Sequence, residues 1–237
     1  SDVCSSDLLH SLTIDLSGIQ LTDSPENKSL KNPESLSKIK GLKFLSLLGC
    51  DLEPTLQEIF MSIVQQGLSS SLEELTLDLS GWREFEDKQF ISILECLAKQ
   101  TNLLSLKVNI SRCHGVSNEG IVSLKIFSKH PNLKSLSIDC SESSKLEFNT
   151  IEVLKEVLSE LKSLENFLYN LEGCAQLYGL DHLKGDFNEF QLLEGEIKIL
   201  ANSDMANKSN STTSITVKDG HITSTIPLNQ TSLYLLE

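Results

Sequence analysis

The sequence predicts an α/β fold, specifically a right-handed α/β solenoid ending in a β-rich C-terminal segment. Three observations predict it. An L-x-x-L-x-[LVI] pattern beginning at Leu42 returns at Leu72, Leu103, Leu133 and Leu164, at intervals of 30, 31, 30 and 31 residues. A period of that length marks a supersecondary unit that cannot bury its apolar face alone and stacks on its neighbours. Each unit opens with the alternation of a strand and continues with the spacing of a helix. After residue 172 the period fades into segments patterned as β-structure.

The five strand signals read LKFLSL, LEELTL, LLSLKV, LKSLSI and LENFLY; the last carries Phe167 and Tyr169 in its second and third slots. Strand alternation points Leu72, Leu75 and Leu77 inward. Upstream, LHSLTIDL repeats the pattern from Leu9, 33 residues before Leu42, and a polar loop with a short helix starting near Pro33 fills the difference. Helical returns follow the strands. TLQEIFMSIVQQGL follows Pro54 and closes at Gly67, and residues 85–100 place Phe90, Ile93, Leu94 and Leu97 at helical spacing. SNEGIVSLKIFSKH starts with Ser117 as its cap, and FNTIEVLKEVLSELK with Asn149 or Thr150.

Downstream, Glu194–Asn202 reads as a degraded or capping repeat, NSDMANKSNSTTS as a flexible loop, and ITVKDGHIT as a hairpin around Asp219-Gly220. The expected organisation is residues 1–41 as an N-terminal repeat and loop, 42–172 as regular repeats, and 173–237 as the degraded repeat, loop and hairpin. Residues 1–8, SDVCSSDL, resemble a translated sequencing-adapter read-through, so they are expected not to be biological. The chain also stops on SLYLLE, as though cut within an element.

A strand plus a full helix in each 30- or 31-residue unit resembles the ribonuclease-inhibitor-like class of leucine-rich repeat proteins, over roughly residues 42–172. That resemblance implies a horseshoe whose outward-facing strand residues line a concave sheet that binds protein. Three exposed slots per repeat give Ser11, Thr13 and Asp15; Phe44, Ser46 and Leu48; Glu74, Thr76 and Asp78; Ser105, Lys107 and Asn109; Ser135, Ser137 and Asp139; and Asn166, Leu168 and Asn170. The last slot is Asp or Asn in every unit but that of Leu48. Such a column can accept hydrogen bonds from Lys and Arg of a partner, with Phe44, Leu48 and Leu168 as apolar anchors. The competing reading is that Asp and Asn only help the chain leave the strand. Trp82, the single Trp, either packs over the repeat edge or stands out as a contact point.

The net charge of −13 argues against nucleic acid and against an anionic membrane surface, and favours a protein partner with a basic or mixed-charge surface. No apolar run is long enough to span a membrane. Six cysteines occur, but Cys50 lies where this repeat class places a turn Cys or Asn, and Cys113, Cys140 and Cys174 fall close to the same phase. They read as buried thiols, Cys113–Cys140 being the one pair within bridging reach, and free thiols fit a reducing, cytoplasmic compartment. No C-x-x-C or H-x₃-H suggests a metal, and no cofactor is expected. Five sequons (Asn27, Asn109, Asn207, Asn210 and Asn229) would matter only in a secreted chain. Cys113-His114 is the one adjacent nucleophile-and-base pair, but neighbours on a strand or turn point apart, so no catalytic residue is expected. The expected function is a non-enzymatic interaction module. The alternatives are a regulator of an enzyme (an inhibitor of a basic enzyme, or a GTPase-activating protein with Arg83 as the candidate) and a substrate receptor of a ubiquitin ligase.

Overall fold

The computed structural model describes residues 9–19, 34–39, 41–147, 149–174, 194–201, 211–218 and 221–225. In β2 (Phe44–Leu48) Leu45 and Leu47 are buried while Phe44, Ser46 and Leu48 face outward, as the two-residue period of a strand requires. The same alternation runs through β3 (Glu74–Asp78), β4 (Ser105–Asn109), β5 (Ser135–Asp139) and β6 (Asn166–Asn170). In β1 (Ser11–Asp15) the inward Leu12 and Ile14 are only partly buried. Each strand pairs in parallel with the next, in register, so that Leu45, Leu75, Leu106, Leu136 and Phe167 form one continuous row.

Parallel neighbours need crossover connections, and helices supply them: α1 (Glu34–Ser37), α2 (Pro54–Gln66), α3 (Asp87–Leu97), α4 (Asn118–Val122) and α5 (Thr150–Glu160). Their apolar stripes close the core against the inward face of the sheet, with Phe60, Phe90, Ile93, Leu94, Phe127 and Leu154 buried. After α4 the chain tightens into a 3₁₀ stretch, Ser123–Lys129. There Ser123 Oγ donates to the Gly120 carbonyl and competes with the α-helical bond, and Gly120 itself favours helix least. At the far end β7 (Glu194–Ala201) pairs in parallel with β6, and β8 (Ser211–Lys218) and β9 (His221–Thr225) follow antiparallel.

One sequence expectation is corrected. The structure is an α/β fold on an open sheet whose strands β1 to β6 are all parallel; it does not show the right-handed solenoid or leucine-rich repeat horseshoe. A repeat period dictates which strands pair and in what register. The curvature of the stack is a separate quantity, set by how much wider the helix layer is than the strand layer. Here that layer is uneven: α2, α3 and α5 have 13, 11 and 11 residues, α4 has 5 and runs on into 7 of 3₁₀ helix, and α1 has only 4.

The chain leaves each strand through the same turn. Gly49, Leu79, Ile110 and Cys140 donate their amides to the carbonyls of Asp78, Asn109, Asp139 and Asn170 in the following unit, at 2.8–2.9 Å. Two residues on, Asp51, Gly81, Arg112 and Glu142 donate to Ser80, Ser111, Ser141 and Glu172. All four adopt positive φ, between 52° and 75°, although only Gly does so without steric cost. At Gly81 a side chain is also excluded by space, since a Cβ would lie 2.0 Å from Asp51 Oδ1.

A buried position in these turns carries a second ladder. Trp82 Nε1 donates to the Gly49 carbonyl, Cys113 Sγ to Leu79 at 3.2 Å, and Cys174 Sγ to Cys140 at 3.2 Å. Ser143 holds the equivalent place after β5, is 1% exposed, and its Oγ has no hydrogen-bond partner among the described residues. A C–S bond is longer than a C–O bond, and Cys113 and Cys174 at the equivalent positions do reach the carbonyl of the preceding unit. Ser143→Cys is therefore expected to stabilise the fold by about 1 kcal/mol, read as a higher urea midpoint at unchanged m-value. Ser143→Ala removes an unpaired hydroxyl and is expected to be neutral; a loss above about 1 kcal/mol would show that the hydroxyl is bonded after all.

Candidate functional site

Opposite the helices, one face of the sheet is left open among the described residues. Its final column runs Asp15, Leu48, Asp78, Asn109, Asp139 and Asn170 on β1 to β6, in register. Every Asp and Asn in it performs the same local task. Oδ1 accepts the amide two residues on: Ser17 N–H to Asp15, Ser80 to Asp78, Ser111 to Asn109 and Ser141 to Asp139, all at 2.9 Å, and Glu172 to Asn170 at 3.1 Å. These are Asx turns. Where the column holds Leu48, the corresponding Cys50 amide donates to Ser17 Oγ of the preceding unit at 3.2 Å. The amide and hydroxyl of Ser17 hold the Asp15 carboxyl below its ordinary value.

The turn occupies only part of each group. A carboxylate has room for about four donors, and at Asp78 the second oxygen has no hydrogen-bond partner among the described residues. Asp139 Oδ2 accepts from Asn170 Nδ2 at 3.1 Å, joining two members of the column directly. Beside the column, Glu74, Lys107 and Asn166 are exposed, and Phe44 and Leu168 are 39% and 36% exposed. The sheet thus brings all eleven expected binding residues, from Asp15 and Phe44 on β1 and β2 to Leu168 and Asn170 on β6, onto one face.

Two neighbouring features escape the three-slot reading. The position before each strand forms its own column, in which Lys43 pairs with Glu73 at 2.7 Å, Lys134 pairs with Glu165, and Leu104 stands between the pairs, 40% exposed. The alternation of Lys and Glu at that repeat position was the available signal. On the turn edge, Arg112 reaches across Gly81 to Asp51 Oδ2 at 3.3 Å and to Cys50 Sγ at 3.5 Å. The Asp51 carboxylate raises the guanidinium above its ordinary value. Trp82 is fully inside, 1% exposed, and Arg83 is exposed on the turn beside it.

Burial decides the chemistry of the thiols. Cys50, Cys96, Cys113, Cys140 and Cys174 are free. Desolvation pushes Cys113 up to about 12 and Cys174 up to about 11, and raises Cys140, whose Sγ lies 3.3 Å from Tyr169 Oη. A thiol held that high is not a nucleophile at neutral pH. Its neighbour His114 is exposed while Cys113 is buried, so the two face different surroundings. His130 is buried with both nitrogens engaged: Nδ1 accepts from Leu133 N–H at 3.1 Å, which leaves Nε2 to donate to the Gln100 carbonyl at 3.0 Å. Among the described residues no three His, Cys, Asp or Glu side chains converge as a metal site. Nor, among them, is any helix long and apolar enough to cross a membrane. Cys4, His182, His221, Asn27, Asn207, Asn210 and Asn229 lie outside the described residues or their described side chains.

No family model matches the chain, and no curated protein matches it in sequence.

Proposed function

We propose that the protein is a non-enzymatic interaction module whose open sheet face binds a protein with a basic or mixed-charge surface. The observation that carries this reading is the face itself: the side chains that point away from the core on β2 to β6 are carboxylates, amides, small hydroxyls, one Lys and a few exposed apolar residues, with no helix laid over them among the described residues. Carboxylates already fixed by a backbone amide are pre-oriented acceptors, so a Lys or Arg that binds them freezes little extra entropy. The leucine-rich repeat resemblance supports the same reading. The net charge of −13 supports a protein rather than nucleic acid or an anionic membrane as partner, and the free buried thiols favour the cytoplasm.

The Asx turns dictate how this is tested. Replacing Asp by Lys would break the turn as well as reverse the charge. Asn keeps the Oδ1 acceptor, as Asn109 and Asn170 demonstrate. Asp15→Asn/Asp78→Asn/Asp139→Asn is therefore expected to keep the fold, losing about 1 kcal/mol where Asn at 139 gives up the bond from Asn170 Nδ2, while weakening partner capture from a lysate by roughly tenfold. Circular dichroism and urea unfolding check the first half, and quantitative pull-down the second. Undiminished capture by a folded triple variant would remove this face from the function.

A further inference from the structure

We propose that the occupant of the open face is an amphipathic α-helix lying across the strands, with one side ordered apolar, basic, acidic, basic, apolar. This rests on the reading that the face binds protein, and it names the kind of segment bound. Strand by strand, the outward residues other than Ser, Thr and Asn are Phe44 and Leu48 on β2, Glu74 and Asp78 on β3, Lys107 on β4, Asp139 on β5 and Leu168 on β6. The face therefore runs apolar, acidic, basic, acidic, apolar. Lys107 is exposed and forms no ion pair among the described residues, so its charge is left for a partner. The middle slots Ser46, Thr76 and Ser137 are small and let a partner backbone come close.

Spacing selects the conformation of that partner. Neighbouring strands lie about 4.8 Å apart, so the path from β2 to β6 covers about 19 Å. A segment crossing them must present one side chain per strand. An extended strand offers one on the same side every ~6.7 Å and a polyproline helix one every ~9.3 Å; both fall out of step. An α-helix offers one every ~4.5–6 Å through its i+3 and i+4 neighbours, and positions i, i+3, i+7, i+10 and i+14 span about 21 Å. On such a helix the two basic residues meet the β3 and β5 carboxylates, and the central acid meets Lys107. The apolar ends cover Phe44 and Leu168.

Fluorescence anisotropy of labelled synthetic helices against the full chain tests this. One Ala/Gln-based peptide carries Leu, Lys, Glu, Lys and Leu at those five positions. A second has the same composition with the five scattered around the helix, a third the same order with a central Pro, and a fourth Lys in place of the central Glu. The first is expected to bind at least about tenfold tighter than the second and third, and Lys107→Glu to reverse the ranking of the first and fourth. Equal binding of the first three overturns the helix, as does no binding of any. If all bind alike and Asp78→Asn/Asp139→Asn weakens all, the face takes cations without reading a helix: the inference falls and the binding face stands. The binding face itself falls only if the triple Asn variant captures its partner undiminished.

Discussion

Replacing Trp82 by Ala is expected to lower the unfolding free energy by about 3–5 kcal/mol, the range for removing a large buried aromatic side chain. Trp82 is 1% exposed and stands between two units. Its ring meets Phe60 edge-on at 5.3 Å and Phe85 at 5.7 Å, with interplanar angles of 83° and 86°. Its indole N–H donates back to the Gly49 carbonyl of the preceding unit. Truncation opens a cavity at the junction of β2, α2 and the turn into α3, where the surrounding rings cannot collapse. Trp82→Phe keeps most of the packing and loses the donor, and is expected to cost about 1–3 kcal/mol. Urea unfolding followed by circular dichroism checks both, since removal of the only Trp also removes its fluorescence. A loss below about 1 kcal/mol for Trp82→Ala would place the ring at the surface instead.

The second large effect concerns Asp87, at the first turn of α3. Its Oδ1 accepts from the amides of Ser117 at 2.8 Å and Gly120 at 3.1 Å, and its Oδ2 from Ser117 Oγ at 2.6 Å. One carboxylate thus caps the start of α4 from the neighbouring unit, where helix amides have no partner of their own. Asp87→Ala is expected to cost about 2–4 kcal/mol, because it removes charge-assisted bonds and strands two amides together. Asp87→Asn retains one acceptor and is expected to lose about half as much. Gly120→Ala should mimic part of the damage by displacing the carboxylate while leaving Asp87 in place, since a Cβ there would lie 2.5 Å from Asp87 Oδ1. Thermal unfolding of the three variants would show the ordering, and an Asp87→Ala variant as stable as the parent would refute the cap.

How much of this is legible in the chain depends on the reach of each interaction. Strand starts and inward positions are legible because Leu42, Leu72, Leu103, Leu133 and Leu164 recur in phase and a strand alternates every second residue. The shape of the whole is not, because curvature is a sum over connections of unequal width, and α4 changes to a 3₁₀ helix after five residues. The Asp and Asn column is legible as a pattern but ambiguous in purpose, since a carboxylate can serve an amide two residues on and a cation from outside. Geometry assigns Oδ1 to the first task and leaves the second to experiment. Arg112 and Asp51 are 61 residues apart and meet only because Gly81 between them has no side chain. Asp87 and Ser117 are 30 apart in different units, and neither has a local motif that announces the other. A short-window reading of the sequence cannot see either pair.

The order of residues on β2 to β6 has a consequence for orientation. From either end it reads the same, with Lys107 at its centre. A partner whose own side is equally symmetric would find two seats of nearly equal depth, head-to-tail and tail-to-head. What separates them is the unlike flanks: Phe44 and Leu48 together on β2 against Leu168 between two Asn residues on β6, with Asp15 lying beyond β2. The five strands define a line, and the arrow along it is drawn by its ends.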